Sequence, residues 1–257
     1  MTNLSQENSS SDQTPQNAEK DAPLNLSLSE SRETLEKLSA EQRIEWAYST
    51  FGPRFVLTTS FGIQSAVLLN MVHLIGEGKS PKVIWIDTGY LPPETYRYAE
   101  QLINQLDIDI KIAQSHISPA RMEALYGRLW ESNSIQDLEK YHQIRKVKPL
   151  EEAFNELNVL CWASGVRGGQ TKHRNSMNYL DEIRNRKSLR PILNWSNKDI
   201  FYYMREHDLP QHPLFEKGYS TVGDWHSSGP DGPTEEGRKT RFKGLKEECG
   251  IHLPEKH

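Results

Sequence analysis

The stretch "RFVLTTSFGIQSAVLLNMVHLIGEG", residues 54–78, passes from strand to helix through a single polar turn. Residues 54–59 (RFVLTT) are a short apolar, β-branched run closed by a Ser/Gly turn, which predicts a buried strand. From Gln64 the apolar residues recur with helical spacing, and a helix is expected over 64–78. Ligands of parallel α/β sheets bind beyond the C-terminal ends of strands. The amide groups and dipole at a helix N-terminus favour an anion there. Ser60, Gln64 and Ser65 offer side-chain hydrogen bonds to such a ligand, and Gly62 allows close approach of the backbone. The loop is not a Walker sequence, since no GKS or GKT follows, and it is not GxGxxG. A Ser–Gly turn ahead of a helix also serves as plain punctuation.

The same alternation continues on both sides. Upstream, "SAEQ" (39–42) has the spacing of a capping box and starts a helix through Ile44, Trp46 and Ala47. Downstream, strands are read at 82–87 (KVIWID), 108–114 (IDIKIAQ), 158–164 (NVLCWAS) and 189–195 (LRPILNW). Helices are read at 92–106, across most of 119–157 and, capped, at 196–208. Strands alternating with helices predict an α/β fold with a mostly parallel sheet of five to six strands covered on both faces. The second strand ends in Asp87, Thr88 and Gly89, beside the first loop. Asp87 is placed to accept from an adenine amine or a ribose hydroxyl, although Asp-Thr-Gly also reads as an ordinary turn. Residues 1–29 form an N-terminal extension, polar over 1–22 and expected to be disordered. Residues 30–208 are expected to form the α/β domain that carries these strand ends, and 209–257 a loop and flexible tail.

The net charge of −4 is uneven. Residues 1–40 carry all of it, and the bases of the balanced remainder are clumped at 167–190 and at 238–246 (RKTRFKGLK). Basic segments on a neutral body suit a small polyanion and argue against a long nucleic acid, although solvated surface charge has the same composition. No run of about 18 apolar residues is present, so no membrane span is expected. The N-terminus lacks the apolar region of a secretory signal. Two cysteines fit a reducing cytoplasm and cannot make a Cys₄ iron–sulfur or zinc site within one chain. The histidines lack ligand spacing, so neither metal nor cluster is expected. Cys161 lies in an apolar strand and reads as an inert core thiol. Cys249 lies in a charged, glycine-punctuated tail; it is either an accident of a frayed end or a reactive group.

Six segments, in order, resemble the phosphoadenylyl-sulfate reductase family: "TSFGIQ" (59–64), "DTGYLPPETYR" (87–97), "YGRLWE" (126–131), "GVRGGQ" (165–170), "HPLFEKGYSTVGD" (212–224) and "ECGIH" (248–252). The resemblance runs from about residue 40 to residue 252. It implies a fold related to the pyrophosphate-loop ATPases, a homodimer, and a thiol in the ECGxH tail as nucleophile, here Cys249. Where the ATP-using relatives carry SGGxDS, this chain has Ser60-Phe61-Gly62-Ile63-Gln64-Ser65. The missing Asp fits a reaction without metal or pyrophosphate release.

By this resemblance the thiolate attacks the sulfur of 3′-phosphoadenylyl sulfate, and thioredoxin or glutaredoxin releases sulfite from the adduct. The Ser60–Ser65 loop, Phe61 included, and Asp87–Gly89 bind the nucleotide. Lys146 is expected among the catalytic groups, Arg167, Gln170 and Arg174 bind the substrate, and the basic run with Arg238, Arg241 and Lys243 clamps the anion. Arg241, Lys246 and His252 are candidates for lowering the thiol pKa. Gly244 and Gly250 are candidate hinges of a closing lid. The alternatives are a cluster-free adenylyl-sulfate reductase, an ATP pyrophosphatase of the same fold, and a non-catalytic nucleotide- or thioredoxin-binding protein.

Overall fold

Along the central strands, successive side chains enter two different cores. In β1 (Phe55–Thr59), Phe55 and Leu57 pack into one cluster and Val56 into another. In β2 (Lys82–Asp87), Val83 and Trp85 follow the first cluster, Ile84 and Ile86 the second. Burial on both faces is what a parallel sheet between two helical layers requires. The computed structural model describes residues 26–75, 80–233, 237–238 and 250–252.

The elements run α1 (Leu28–Glu36), α2 (Ala40–Phe51), β1, α3 (Ser65–His73), β2, α4 (Pro93–Leu106), β3 (Ile110–Gln114), α5 (Pro119–Tyr126) and α6 (Ile135–His142). They continue with α7 (Lys148–Glu156), β4 (Cys161–Ala163), α8 (Lys172–Asn175), β5 (Leu180–Ile183), β6 (Arg186–Leu189) and α9 (Asn197–Glu206). The sheet has six strands in the order β3-β2-β1-β4-β6-β5, all neighbours parallel except β5 with β6. The first core lies against α2, α3, α4 and α9; the second lies under α7, through Leu150, Ala153 and Phe154. Among the described residues no helix is long and apolar enough to cross a membrane.

The expected capping box is formed: Ser39 Oγ accepts from Gln42 N and Gln42 Oε1 from Ser39 N. Two expectations need correction. The strand read at 189–195 does not exist beyond Leu189, where β6 ends. Pro191 has no amide to donate to a ladder, and residues 191–194 turn instead. The additional strand comes from the charged segment before it. β5 and β6 form a hairpin joined by Arg184 and Asn185, both with positive φ (51° and 59°), the conformation a two-residue turn needs to follow strand twist. Upstream, α1 was not anticipated. It is capped by Ser27, its Leu35 is fully buried, and Arg32 reaches the hairpin by donating to Leu180 O and Asp181.

Candidate active site

β1 has β2 on one side and β4 on the other, so the connections leaving β1 and β4 diverge and open a crevice at the strand ends. A cavity of about 200 Å³ fills that crevice. Thr58–Ser60 and Gly62–Ser65 form its floor and one wall, Ser164–Val166, Gln170 and Arg174 the other; Ser220–Val222, Arg238, Ile251 and His252 close it.

The loop after β1 is held by its own hydrogen bonds. Phe61 N donates to Thr59 Oγ1 (3.0 Å), and Ser65 Oγ donates to Gly62 O (2.8 Å). Phe61 has φ 48°, and its fully buried ring meets Trp85 edge-on at 4.9 Å. Phe61, expected beside the nucleotide, therefore anchors the loop in the core, while its neighbours Ser60, Gly62, Gln64 and Ser65 line the cavity. α3 begins at Ser65 with no side chain capping its N-terminus. The wall opposite Gly62 is the Val222 carbonyl, 3.4 Å from where a Cβ would stand.

Cations gather on the β4 side. The buried Arg167 guanidinium donates to Gln64 Oε1 (2.6 Å) and Asn197 Oδ1 (2.9 Å). It thereby braces the loop while sitting behind the lining. Burial, and then the neighbouring Arg174, bring its pKa down to about 10. Arg174, itself buried, donates to Gln170 Oε1 and lines the cavity. His252 stacks on Trp162 (5.4 Å, 18° between planes) and is held well below the ordinary imidazole range. Burial is the first cause; Arg174, Arg190, Arg238 and Arg184 add to it. The Arg174 charge disfavours protonation of both Arg167 and His252, and an anion beside it would offset that effect.

The neighbouring strand end is built differently. Asp87 Oδ1 accepts from Gly89 N (2.8 Å) and Tyr96 OH (2.8 Å), and Oδ2 accepts from Gln114 Nε2 (3.1 Å). Thr88 Oγ1 donates to Asp224 Oδ1 (2.5 Å), whose other oxygen pairs with Lys146 Nζ at 2.7 Å. Gly89, at φ 74°, has Arg145 and Pro119 atoms 2.8 Å from a would-be Cβ, so a side chain there would be both strained and obstructed. Asp87, Thr88, Gly89 and Lys146 thus meet in a buried network beside the cavity and are not among its lining residues.

Lys146 faces inward because the helix winds wide. Residues Gln143–Val147 form a π segment between α6 and α7, and Arg145, Lys146 and Val147 are consecutively buried. Pro149 supplies a cause: it lacks a donor, and its ring crowds the carbonyl four residues back, that of Arg145. Arg145, fully buried, donates to Thr88 O and Ile117 O and holds the loop after β2. Cys161, at the centre of the sheet, is fully buried and its thiol pKa is pushed up by desolvation.

Residues 54–230 match the model of the phosphoadenosine phosphosulfate reductase domain. The phosphoadenosine 5′-phosphosulfate reductase of a Synechococcus strain is 54% identical over 88% of this chain and 97% of its own length. The chain belongs to the phosphoadenosine phosphosulfate reductase family. The family's reductase from Zymomonas mobilis is 44% identical over 88% of this chain and 91% of its own. Among solved structures, the phosphoadenylyl-sulfate reductase of Candida auris, solved as a phosphate complex, superposes with a TM-score of 0.68 at 28% identity. That match covers 81% of this chain and all of the other. The FMN adenylyltransferase of Candida glabrata shares the fold alone, at a TM-score of 0.56 and 11% identity.

The family match spans the loop, Lys146, Arg167–Arg174 and Asp224; the "ECGIH" segment follows it. Cys249, Arg241, Lys243, Gly244 and Lys246 lie outside the described residues, whereas Gly250, Ile251, His252 and Arg238 lie within them. The sequence reading passed over Arg145, Asp224 and Trp162. Arg145 precedes an assigned lysine, and only the π segment buries both. Asp224 was quoted inside a motif, but its partners are more than 75 residues away in the chain.

Proposed function

We propose that this chain is an oxidoreductase that reduces 3′-phosphoadenylyl sulfate to sulfite and adenosine 3′,5′-bisphosphate in sulfate assimilation. The observation that carries this is the cavity at the β1/β4 crevice, where a helix N-terminus and Arg174 meet Arg238 and His252. His252 stands three residues after Cys249 in the sequence. The Cys249 thiolate attacks the sulfuryl sulfur, the bond from that sulfur to the bridging phosphate oxygen breaks, and the bisphosphate leaves with the electron pair. The adduct is an S-sulfocysteine. A thiolate of reduced thioredoxin (glutaredoxin offers the same dithiol chemistry) then attacks Cys249 Sγ and expels sulfite. Its second thiol resolves the mixed disulfide, so the dithiol supplies both electrons.

The cations screen the approach of a thiolate to an anion. His252, kept neutral by burial and by the arginines around it, is suited to a hydrogen bond with the nucleotide rather than to an added charge. The reaction as written uses one thiol and no metal or cluster. Cytoplasmic location, a homodimer and a tail that closes over the nucleotide are parts of the same reading. The test is mass spectrometry of the protein mixed with substrate and no reductant: an SO₃ adduct on the peptide containing Cys249 is expected, and its absence would sink the mechanism.

A further inference from the structure

The three residues that follow Cys249 are held at the edge of the second core by one side chain from the β5–β6 turn. Ile251 joins the buried cluster of Val56, Trp162 and Ile183, and His252 stacks on Trp162. Gly250 has φ 83°, a conformation that turns the chain and that other residues rarely adopt. The backbone carbonyl of Ile251 accepts a hydrogen bond from Arg184 Nη2. Arg184 Nε lies 3.0 Å from Glu151 Oε1 on α7, and the Arg184 side chain is only 6% exposed. The other oxygen of Glu151 is taken by Arg186 Nη1 at 2.6 Å. One carboxylate on α7 thus fixes two guanidiniums of the hairpin, and one of these reaches the C-terminal segment.

The turn itself does not call for arginine. Arg184 occupies the left-handed region (φ 51°), where Asn or Gly is favoured and a long L side chain is uncommon. The conformational cost there is offset by what the guanidinium binds.

We infer that Arg184 is a positioning residue for the reaction: it pins the Ile251 carbonyl and so registers the segment adjoining Cys249 against the rim of the sheet. This role rests on the reading of Cys249 as the nucleophile. Misplacing a reacting group by about an ångström costs on the order of a hundredfold in rate.

The experiment uses Arg184→Asn, which suits the turn and leaves Glu151 paired with Arg186. Arg184→Lys is made beside it, retaining a cation next to Glu151 should the first variant fail to fold. Three quantities are read: hydrogen exchange of the peptide spanning residues 250–252, the single-turnover rate of adduct formation on Cys249, and the Kd for adenosine 3′,5′-bisphosphate. Exchange is expected to accelerate and adduct formation to slow by about ten- to a hundredfold, with Tm nearly unchanged and bisphosphate affinity falling by much less than the adduct rate, through the loosened His252 alone. A defect far larger in the covalent step than in binding separates positioning from a general loss of structure. Unchanged exchange, or faster exchange with an unchanged adduct rate, would overturn this role alone. Failure of the wild-type protein to form any adduct would overturn the mechanism proposed above and this role with it.

Discussion

Two strand ends that are neighbours on one sheet handle charge in opposite ways. Beyond β2, the charges meet partners: Asp87 accepts three hydrogen bonds, and Asp224, fully buried, pairs with Lys146 and Thr88. Beyond β1 and β4, arginines crowd groups that line or brace the cavity: Arg174 lowers the pKa of both Arg167 and His252, and Arg238 adds to the lowering at His252. The first arrangement is what a folded chain does to satisfy buried polar groups. The second gains from a ligand of opposite sign. On the reading proposed above, the Asp87 and Lys146 network is scaffold and Arg174 and Arg238 face the nucleotide, where the sequence puts all four into one functional set.

The sharpest way to break the distinction is through the thiols. Cys249→Ser is expected to lower sulfite release by about 10⁴-fold or more while bisphosphate binding persists. Cys161→Ser, inside the sheet, is expected to stay active in the same assay. Substantial activity in the first variant would remove the reason for treating the rim as a reaction site. Next in size is Asp224→Ala on the β2 side. It strands a buried ammonium and is expected to cost about 3–5 kcal/mol of stability, read as a fall in Tm. An unchanged Tm would mean that the network is not structural. On the cavity side, Arg238→Ala should raise the KM for the nucleotide by about tenfold, as expected from losing one charged hydrogen bond of roughly 1.5 kcal/mol, and leave Tm alone. A drop in Tm without a change in KM would reverse the assignment of the two regions. Turnover on adenylyl sulfate belongs to the same comparison; use of it equal to that of the 3′-phosphorylated nucleotide would favour the cluster-free adenylyl-sulfate reductase.

The smallest effect is one of pH. His212 Nδ1 accepts from Leu214 N and its Nε2 bonds Thr95, so the buried ring is neutral and its pKa is brought down to about 4 by desolvation. In the unfolded chain the ring titrates near 6.5, so the unfolded state takes up the proton first on acidification. The stabilising contribution is complete above about pH 6.5 and is lost progressively as pH falls toward the folded value. A plot of Tm against pH should show that decline, and His212→Gln should flatten it; an identical slope in the variant would refute the assignment.

The parts of the fold written in periodic apolar residues were legible. β1, β2 and α4 are long or apolar enough for their pattern to stand out, and the Ser39 cap declares itself by spacing. The β5–β6 hairpin was hidden because an edge pair can be short and charged, and "LDEIRNRKSL" has neither alternation nor turn glycine. The apolar "LRPILNW" imitated a strand, although its proline forbids a ladder bond. At the site, the loop after β1 was legible because its residues are contiguous. The contributions of Val222, Asp224 and Arg184 were not, since each acts on a segment far away in the chain. Loop membership also says nothing about which way a side chain turns, and the Phe61 ring, read with the nucleotide loop, is buried against Trp85.

Pro149 carries a consequence of another kind. By forcing a wide turn, it sets the angular phase between the helical segments on either side. Restoring ordinary winding with the residue count unchanged, as Pro149→Ala would favour, rotates α6 relative to α7 by up to about 100°, whereas removing one residue from 143–147 at the same time would cancel the rotation. In the first case Arg145 and Lys146 would swing off the network beside the strand ends. One pyrrolidine ring thus acts as a gear tooth: the helix tolerates substitutions along its outer face, but its residue count there is tied to the wide turn.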